Sequence, residues 1–309
     1  MIRVENLIKY YGKRLAVDNI SFNVKKGEIV GLLGPNAAGK TTAMRILTGV
    51  LAPTSGDAWV AGYNVLTQSL EVRRHIGYLP ELIPLYTDMT VRSYLDFLAR
   101  LRGVTSNKLK NRIEDVVKTC NLEEYVDVFI GKLSRGFRQR VGIAQAIVHE
   151  PDVLILDEPT AGIDPIQVAA TRQLIKELGK EHTIIVSTHI LPEVSMLCDR
   201  VIVIHEGKIV AEDRIQNLSS LQAGAKRIRL EIEGPAKKVT ECLRQIKGIT
   251  KISQQRSHYL VEYPASMDLR GKVTEAIARD GFTLLSLQAV TISLEEIFLK
   301  LTTEERDER

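Results

Sequence analysis

Cysteine is scarce. Cys120, Cys198 and Cys242 are the only three in 309 residues, odd in number and far apart. That excludes a disulfide framework and offers no spacing for a zinc site. Long apolar runs are missing as well: none approaches the ~18 residues of a membrane span, and the N-terminus lacks the apolar core of a signal peptide. A cytosolic protein is expected, with any membrane link made through a partner. Charge of one sign is lacking too. A net charge of +4 and a pI near 8.8 are too mild for a nucleic-acid footprint, and a mixed, solvated surface accounts for them. What remains is ordinary for a soluble globular chain: 44% hydrophobic and 26% charged residues, with a length suggesting about two domains and room for a large core.

Against that plain background one stretch stands out, Gly34-Pro35-Asn36-Ala37-Ala38-Gly39-Lys40-Thr41-Thr42. It fits the phosphate-binding pattern G-x-x-x-x-G-K-[ST]. The apolar run 29–33 before it reads as a buried strand, and residues 41–47 after it as a helix closed by Gly49. A strand, a tight loop and a helix N-terminus aim backbone N–H groups and the positive end of a helix dipole at one point, where a polyphosphate fits. Lys40 would reach the β- and γ-phosphates, and the Thr41 hydroxyl would ligand Mg²⁺.

The rest of the first two-thirds alternates strand and helix. Strands are expected over 2–8, 15–24, 58–60, 75–80, 153–157 and 183–187, with helices over about 90–102, 108–120, 135–150 and 165–179. The helices at 90–150 interrupt the alternation and read as an insert, about 82–150, in an α/β core. Tyr11 precedes the phosphate loop and would either stack an adenine or pack on the core. Ser134 is a candidate N-cap, and Gly136 would allow close backbone approach. The run 153–156 delivers Asp157 and Glu158 to the C-terminal end of a central strand, where open α/β sheets bind ligands. Asp157 suits Mg²⁺ and Glu158 suits accepting a proton from water. His189 lies at the end of another strand, next to the same site.

The order of these segments resembles the ATP-binding subunit of an ABC (ATP-binding cassette) transporter. The likeness covers roughly residues 1–215 and rests on the phosphate loop, the strand ending at Glu81, then L-S-R-G-F, L-I-L-D-E-P, A-G-I-D and S-T-H. It implies that Tyr11 stacks adenine and that Glu81 takes the place of the glutamine loop, which senses γ-phosphate and touches the membrane subunit. Ser134, Arg135 and Gly136 would face ATP bound to the opposite subunit. Asp157 would hold Mg²⁺, Glu158 would be the general base, Asp164 would lie in the dimer-contact loop and His189 would be the switch histidine. Two ATP would join two copies head to tail, and a separate integral-membrane permease would place the protein on the cytoplasmic face of the membrane. The chain departs from the family pattern in three places. Ala37 stands for a glycine, Glu81 for glutamine, and Arg135-Gly136-Phe137 for G-G-Q. Arg135 would point to the neighbour's γ-phosphate or to solvent. With these departures the chain is similar to the branch serving exporters of drugs, lipids or gliding-motility components. The alternative function is a soluble ABC-type ATPase of translation or DNA repair. Such proteins usually carry two cassettes or a long coiled coil, and this chain has neither.

Beyond about residue 211, and after a linker at 216–226, the chain reads β-α-β-β-α-β, a ferredoxin-like order, over residues 227–309. A last helix is expected from the capping box Ser293-Leu294-Glu295-Glu296, packed on its own domain or on a partner. With 14 basic and 13 acidic residues from Arg227 to Arg309, nucleic acid is not expected as its partner. It resembles the accessory domain of drug-exporter ATPases, which implies a scaffolding or dimer-contact role.

Overall fold

The structure, a computed structural model, describes residues 1–214, 225–256, 258–264 and 267–290. The chain divides into two compact units, Met1–Ile215 and Gln216–Arg309.

The first unit holds two sheets. β1 (Ile2–Tyr11) and β2 (Arg14–Val24) pair antiparallel across the Gly12-Lys13 turn, with β4 (Ser55–Val60) and the two-residue β5 (Tyr63–Asn64) beyond β1. The second sheet contains β3 (Ile29–Leu33), β6 (Ile76–Leu79), β7 (Val153–Asp157), β8 (Thr183–Thr188) and β9 (Arg200–His205), all parallel. An antiparallel edge strand, β10 (Lys208–Arg214), completes the order β10-β9-β3-β8-β7-β6.

Every residue of β3, β7 and β8 is buried, as a strand covered on both faces requires. Side chains alternate between two cores, because successive residues of a strand point to opposite faces. Val153 and Ile155 join Val30, Leu32 and Ile185 under the antiparallel sheet and helix α1 (Lys40–Leu47). Leu154 and Leu156 join Ile184 and Val186 under α3 (Val91–Leu101), α4 (Ser106–Thr119) and α5 (Arg135–Ile147). These three helices lie within the span expected as an insert. α5 sits very close to β6: a Cβ on Gly77 would meet the Ala146 carbonyl at 2.1 Å.

Some elements differ from the sequence expectation. His75 ends a helix, α2 (Ser69–His75), and the strand expected to start there begins at Ile76. Only Val72 of α2 is buried, so its sequence carries little apolar periodicity. α7 (Leu191–Leu197), β9, β10 and β5 were not expected; α7 and β5 are too short to show a period, and β9 with β10 forms a hairpin at the sheet edge. α6 (Pro165–Leu178) follows Asp164, whose side chain accepts from the N–H groups of Ile166 and Gln167.

In the second unit β11 (Ala225–Glu233), α8 (Ala236–Arg244), β12 (Lys251–Gln255), β13 (His258–Pro264), α9 (Arg270–Arg279) and β14 (Thr283–Val290) form one antiparallel sheet of order β12-β13-β11-β14, with two helices. Ile228, Leu230 and Ile232 of β11 alternate into a core with Val239, Leu243, Val273 and Ile277 of the helices. The expected helix at Ser293, and the linker up to residue 224, lie outside the described residues.

Candidate nucleotide site

Residues 34–39 turn from β3 into α1. A Cβ on Gly34 would meet the Ile204 carbonyl at 2.2 Å, and Gly39 adopts φ 109 while pressed against the Ala16 carbonyl, so both positions demand glycine. Ala37 takes φ 66, the left-handed conformation for which a glycine would be the easier residue. The Lys40 side chain is buried, and its ammonium donates to the carbonyls of Gly34 at 2.7 Å and Pro35 at 3.1 Å.

The loop floors a cleft of about 610 Å³. Asn36 to Thr42 form one side; Tyr11, Glu81, Glu158 and His189 line the remainder. Tyr11 is 45% exposed at the end of β1, so it is not packed in the core. Glu81 follows β6 and is exposed. Arg14 and Arg45 also line the cleft, and sequence reasoning missed both. Arg45 lies four residues past Thr41 on α1, one turn along the same helix face, and that spacing was the available signal.

Asp157 and Glu158 end up in different surroundings although adjacent in sequence. Asp157 is wholly buried, which pushes its carboxyl above the usual range; the Ser187 and Thr41 hydroxyls beside it pull the other way. Ser187 donates to Asp157 Oδ1 and accepts the Glu158 N–H at 2.9 Å, tying β7 to β8. Asp157 Oδ2 is buried without a hydrogen bond of standard geometry. An orphaned carboxylate oxygen beside a threonine hydroxyl fits a hard divalent cation, which takes oxygen ligands and would leave positions open for phosphate and water. Among the described residues no group of three or more His, Cys, Asp or Glu is placed to hold a metal, so a fully protein-made cage is not offered.

Glu158 points into the cleft with φ 49, a conformation that costs on the order of 1 kcal/mol and persists only where neighbours enforce it. Its carboxylate lies between Lys40 Nζ at 3.5 Å from Oε1 and His189 Nδ1 at 2.9 Å from Oε2. A buried carboxylate lining the cleft in this way can act as a proton acceptor.

Ser134, Arg135, Gly136 and Asp164 do not line this cleft. Ser134 caps α5 by accepting the Phe137 N–H at 3.4 Å. Gly136 packs on Gln167 of α6, and the exposed Arg135 guanidinium covers Gly162, where an added Cβ would meet it at 2.4 Å. Sequence reasoning did not reach that contact, because it depends on the 161–164 turn folding back beside α5.

Comparison with known proteins agrees with this geometry. The family model described as ABC transporter matches residues 17–161. The chain is 35% identical over 97% of its length to the bacitracin transport ATP-binding protein BcrA of Bacillus licheniformis, of which 97% is covered. It is 33% identical over 98% of its length to the linearmycin resistance ATP-binding protein LnrL of Bacillus subtilis, again with 98% covered. Among solved structures, the dimeric structure of MJ0796, a bacterial ABC transporter cassette, is 25% identical with TM-score 0.64, over 70% of this chain and 99% of that one. With near full-length relatives above 30% identity, and a phosphate-loop cassette as its first unit, the chain belongs to the ATP-binding subunits of ABC transporters.

Proposed function

We propose that two copies of this subunit close head to tail around two ATP, and that hydrolysis of these opens them again. Tyr11 stacks on adenine. Residues 34–42 wrap the phosphates, and Lys40 exchanges its loop carbonyls and Glu158 for phosphate oxygens. Asp157 and Thr41, with Glu81 nearby, would hold Mg²⁺, which neutralises charge on the β- and γ-phosphates when bound. Ser134, Arg135 and Gly136 of each copy meet the γ-phosphate bound by the other, which is why they stand outside the cleft of their own chain.

In hydrolysis a water oxygen attacks the γ-phosphorus, and the bond from that phosphorus to the β,γ-bridging oxygen breaks, leaving ADP and phosphate. Glu158 takes the water's proton, and His189 keeps the carboxylate aimed at it. Asp164 belongs to the contact between copies. The chain is organised as a cassette over 1–215, a linker over 216–226 and an accessory domain over 227–309, for which we infer a scaffolding or dimer-contact role. A separate permease converts closing and opening into export and holds the subunit at the cytoplasmic face of the membrane; no described helix is long and apolar enough to cross it. Relatives named for bacitracin transport and linearmycin resistance support an export role.

The observation that carries this reading is the Glu158 carboxylate suspended between Lys40 and His189 over the phosphate loop. Glu158→Gln should retain ATP and trap the closed pair, giving a dimer in size-exclusion chromatography with ATP. A variant that binds ATP and elutes as a monomer would contradict the shared-site mechanism.

A further inference from the structure

Glu193 is the third residue of α7 and is 7% exposed. Burying a carboxylate is costly unless hydrogen bonds replace its water, so its place needs a reason. Its Oε2 accepts from the Thr160 hydroxyl at 2.8 Å and from the Thr188 hydroxyl at 2.9 Å. The two donors come from different elements. Thr160 stands two residues after Glu158, in the turn leaving β7, and Thr188 ends β8 immediately before His189. Thr188 Oγ1 also accepts the Ile190 N–H at 3.0 Å, which fixes the backbone just beyond His189. With the His189 Nδ1 contact to Glu158 Oε2 at 2.9 Å, a ring closes from Glu158 through Thr160, Glu193, Thr188 and His189 back to Glu158.

We propose that Glu193 is a positioning residue, which grips the two turns carrying the base and its histidine and so sets their separation. This rests on Glu158 being the base and His189 its partner. Ser187 ties β7 to β8 only as far as the Glu158 N–H; beyond that point the two turns leave different strands, and they are joined by the Glu193 bridge and the Glu158–His189 contact. A carboxylate oxygen accepting two hydroxyls is a short and stiff link between them. Phosphate contacts are made by residues 34–42 on the other side of the cleft, so nucleotide affinity should not depend on it.

The test is steady-state ATP hydrolysis by the full chain, reading kcat and KM separately. A misplacement of about 1 Å costs about 100-fold in rate, so Glu193→Ala should lose kcat by about that factor. Its KM for ATP should stay within about threefold, as removal of an interaction that matters only during reaction predicts. Glu193→Gln, which keeps an acceptor oxygen, should recover most of the rate. Because Glu193 would act through His189, the double variant with His189→Ala should be no slower than His189→Ala alone, within about threefold. If Glu193→Ala does not fold, Thr160→Val and Thr188→Val each remove one donor while keeping side-chain shape, and each should lower kcat at unchanged KM. The proposal is overturned by hydrolysis within twofold of wild type in Glu193→Ala or in both threonine variants, or by losses from Glu193→Ala and His189→Ala that multiply. Wild-type hydrolysis in Glu158→Gln and His189→Ala would instead overturn the underlying reading, and this one with it.

Discussion

At Ala37 local conformation and residue type disagree. The residue is exposed, makes the left-handed turn of the phosphate loop at φ 66, and has a Cβ that glycine would lack. Ala37→Gly removes that strain, on the order of 1 kcal/mol, although the looser unfolded chain takes part of the gain back. The expected outcome is a net stabilisation of up to about 1 kcal/mol in nucleotide-free urea unfolding, with ATP affinity changed by less than about threefold. A clear destabilisation would mean that the loop relies on the alanine methyl. Glu158, at φ 49, is strained too, but its N–H on Ser187 and its carboxylate between Lys40 and His189 hold it there.

At the scale of elements, the start of α5 carries both an N-cap and the residues proposed to meet the partner's ATP. Ser134 caps it, as Thr90 caps α3 by accepting the Ser93 N–H at 3.2 Å. Losing either cap should cost about 1 kcal/mol of stability. The two substitutions separate structure from function. Ser134→Ala and Thr90→Ala should shift the urea midpoint alike, whereas only Ser134→Ala should weaken the ATP-dependent dimer formed in the Glu158→Gln background. Equal effects on dimerisation would confine Ser134 to capping. The packing of Gly136 on Gln167, whose Oε1 accepts from Arg140 at 3.0 Å, ties the start of α5 to α6 and so to the turn that bears Asp164.

For the whole first unit, acid should be destabilising through His149. Burial is the main reason its ring titrates near 4 rather than 6.5, with the Arg102 charge adding to the effect. The ring's Nε2 faces the Ile76 carbonyl at 3.0 Å while Nδ1 is buried without a partner, an arrangement suited to the neutral form. Between pH 6.5 and 4 the unfolded chain therefore holds a proton that the folded chain refuses, so stability is complete above 6.5 and falls as pH drops toward 4. The loss is a few kcal/mol at most, at about 1.36 kcal/mol per pH unit. Trp59, the single tryptophan, lies in β4 and reports on this unit by fluorescence. His149→Gln should flatten the pH dependence of its urea midpoint over that interval; an unchanged slope would assign the acid sensitivity elsewhere.

Much of the fold class was legible because its signals are local. A phosphate loop needs glycines and a lysine at set spacing, a strand covered on both faces needs an unbroken apolar run such as 153–156, and capped helices declare their starts at Thr90, Ser134 and Asp164. Elements whose apolar content is set by neighbours were not legible. α2 buries only Val72, and β9 takes its place beside β3 through pairing that no short-range pattern encodes. The same division runs through the nucleotide site. Lys40 could be named from the spacing of its loop, and Asp157, Glu158 and His189 from their place at strand ends together with the family resemblance. Only the tertiary structure decided that Asp157 keeps an unpartnered oxygen in the interior, that Arg135 lies on Gly162, and that Glu193 links the turns of Glu158 and His189. Spacing along the chain can prescribe which groups a strand end or loop presents. Which distant groups then meet depends on strand order and helix packing, and those follow from the burial of the whole core.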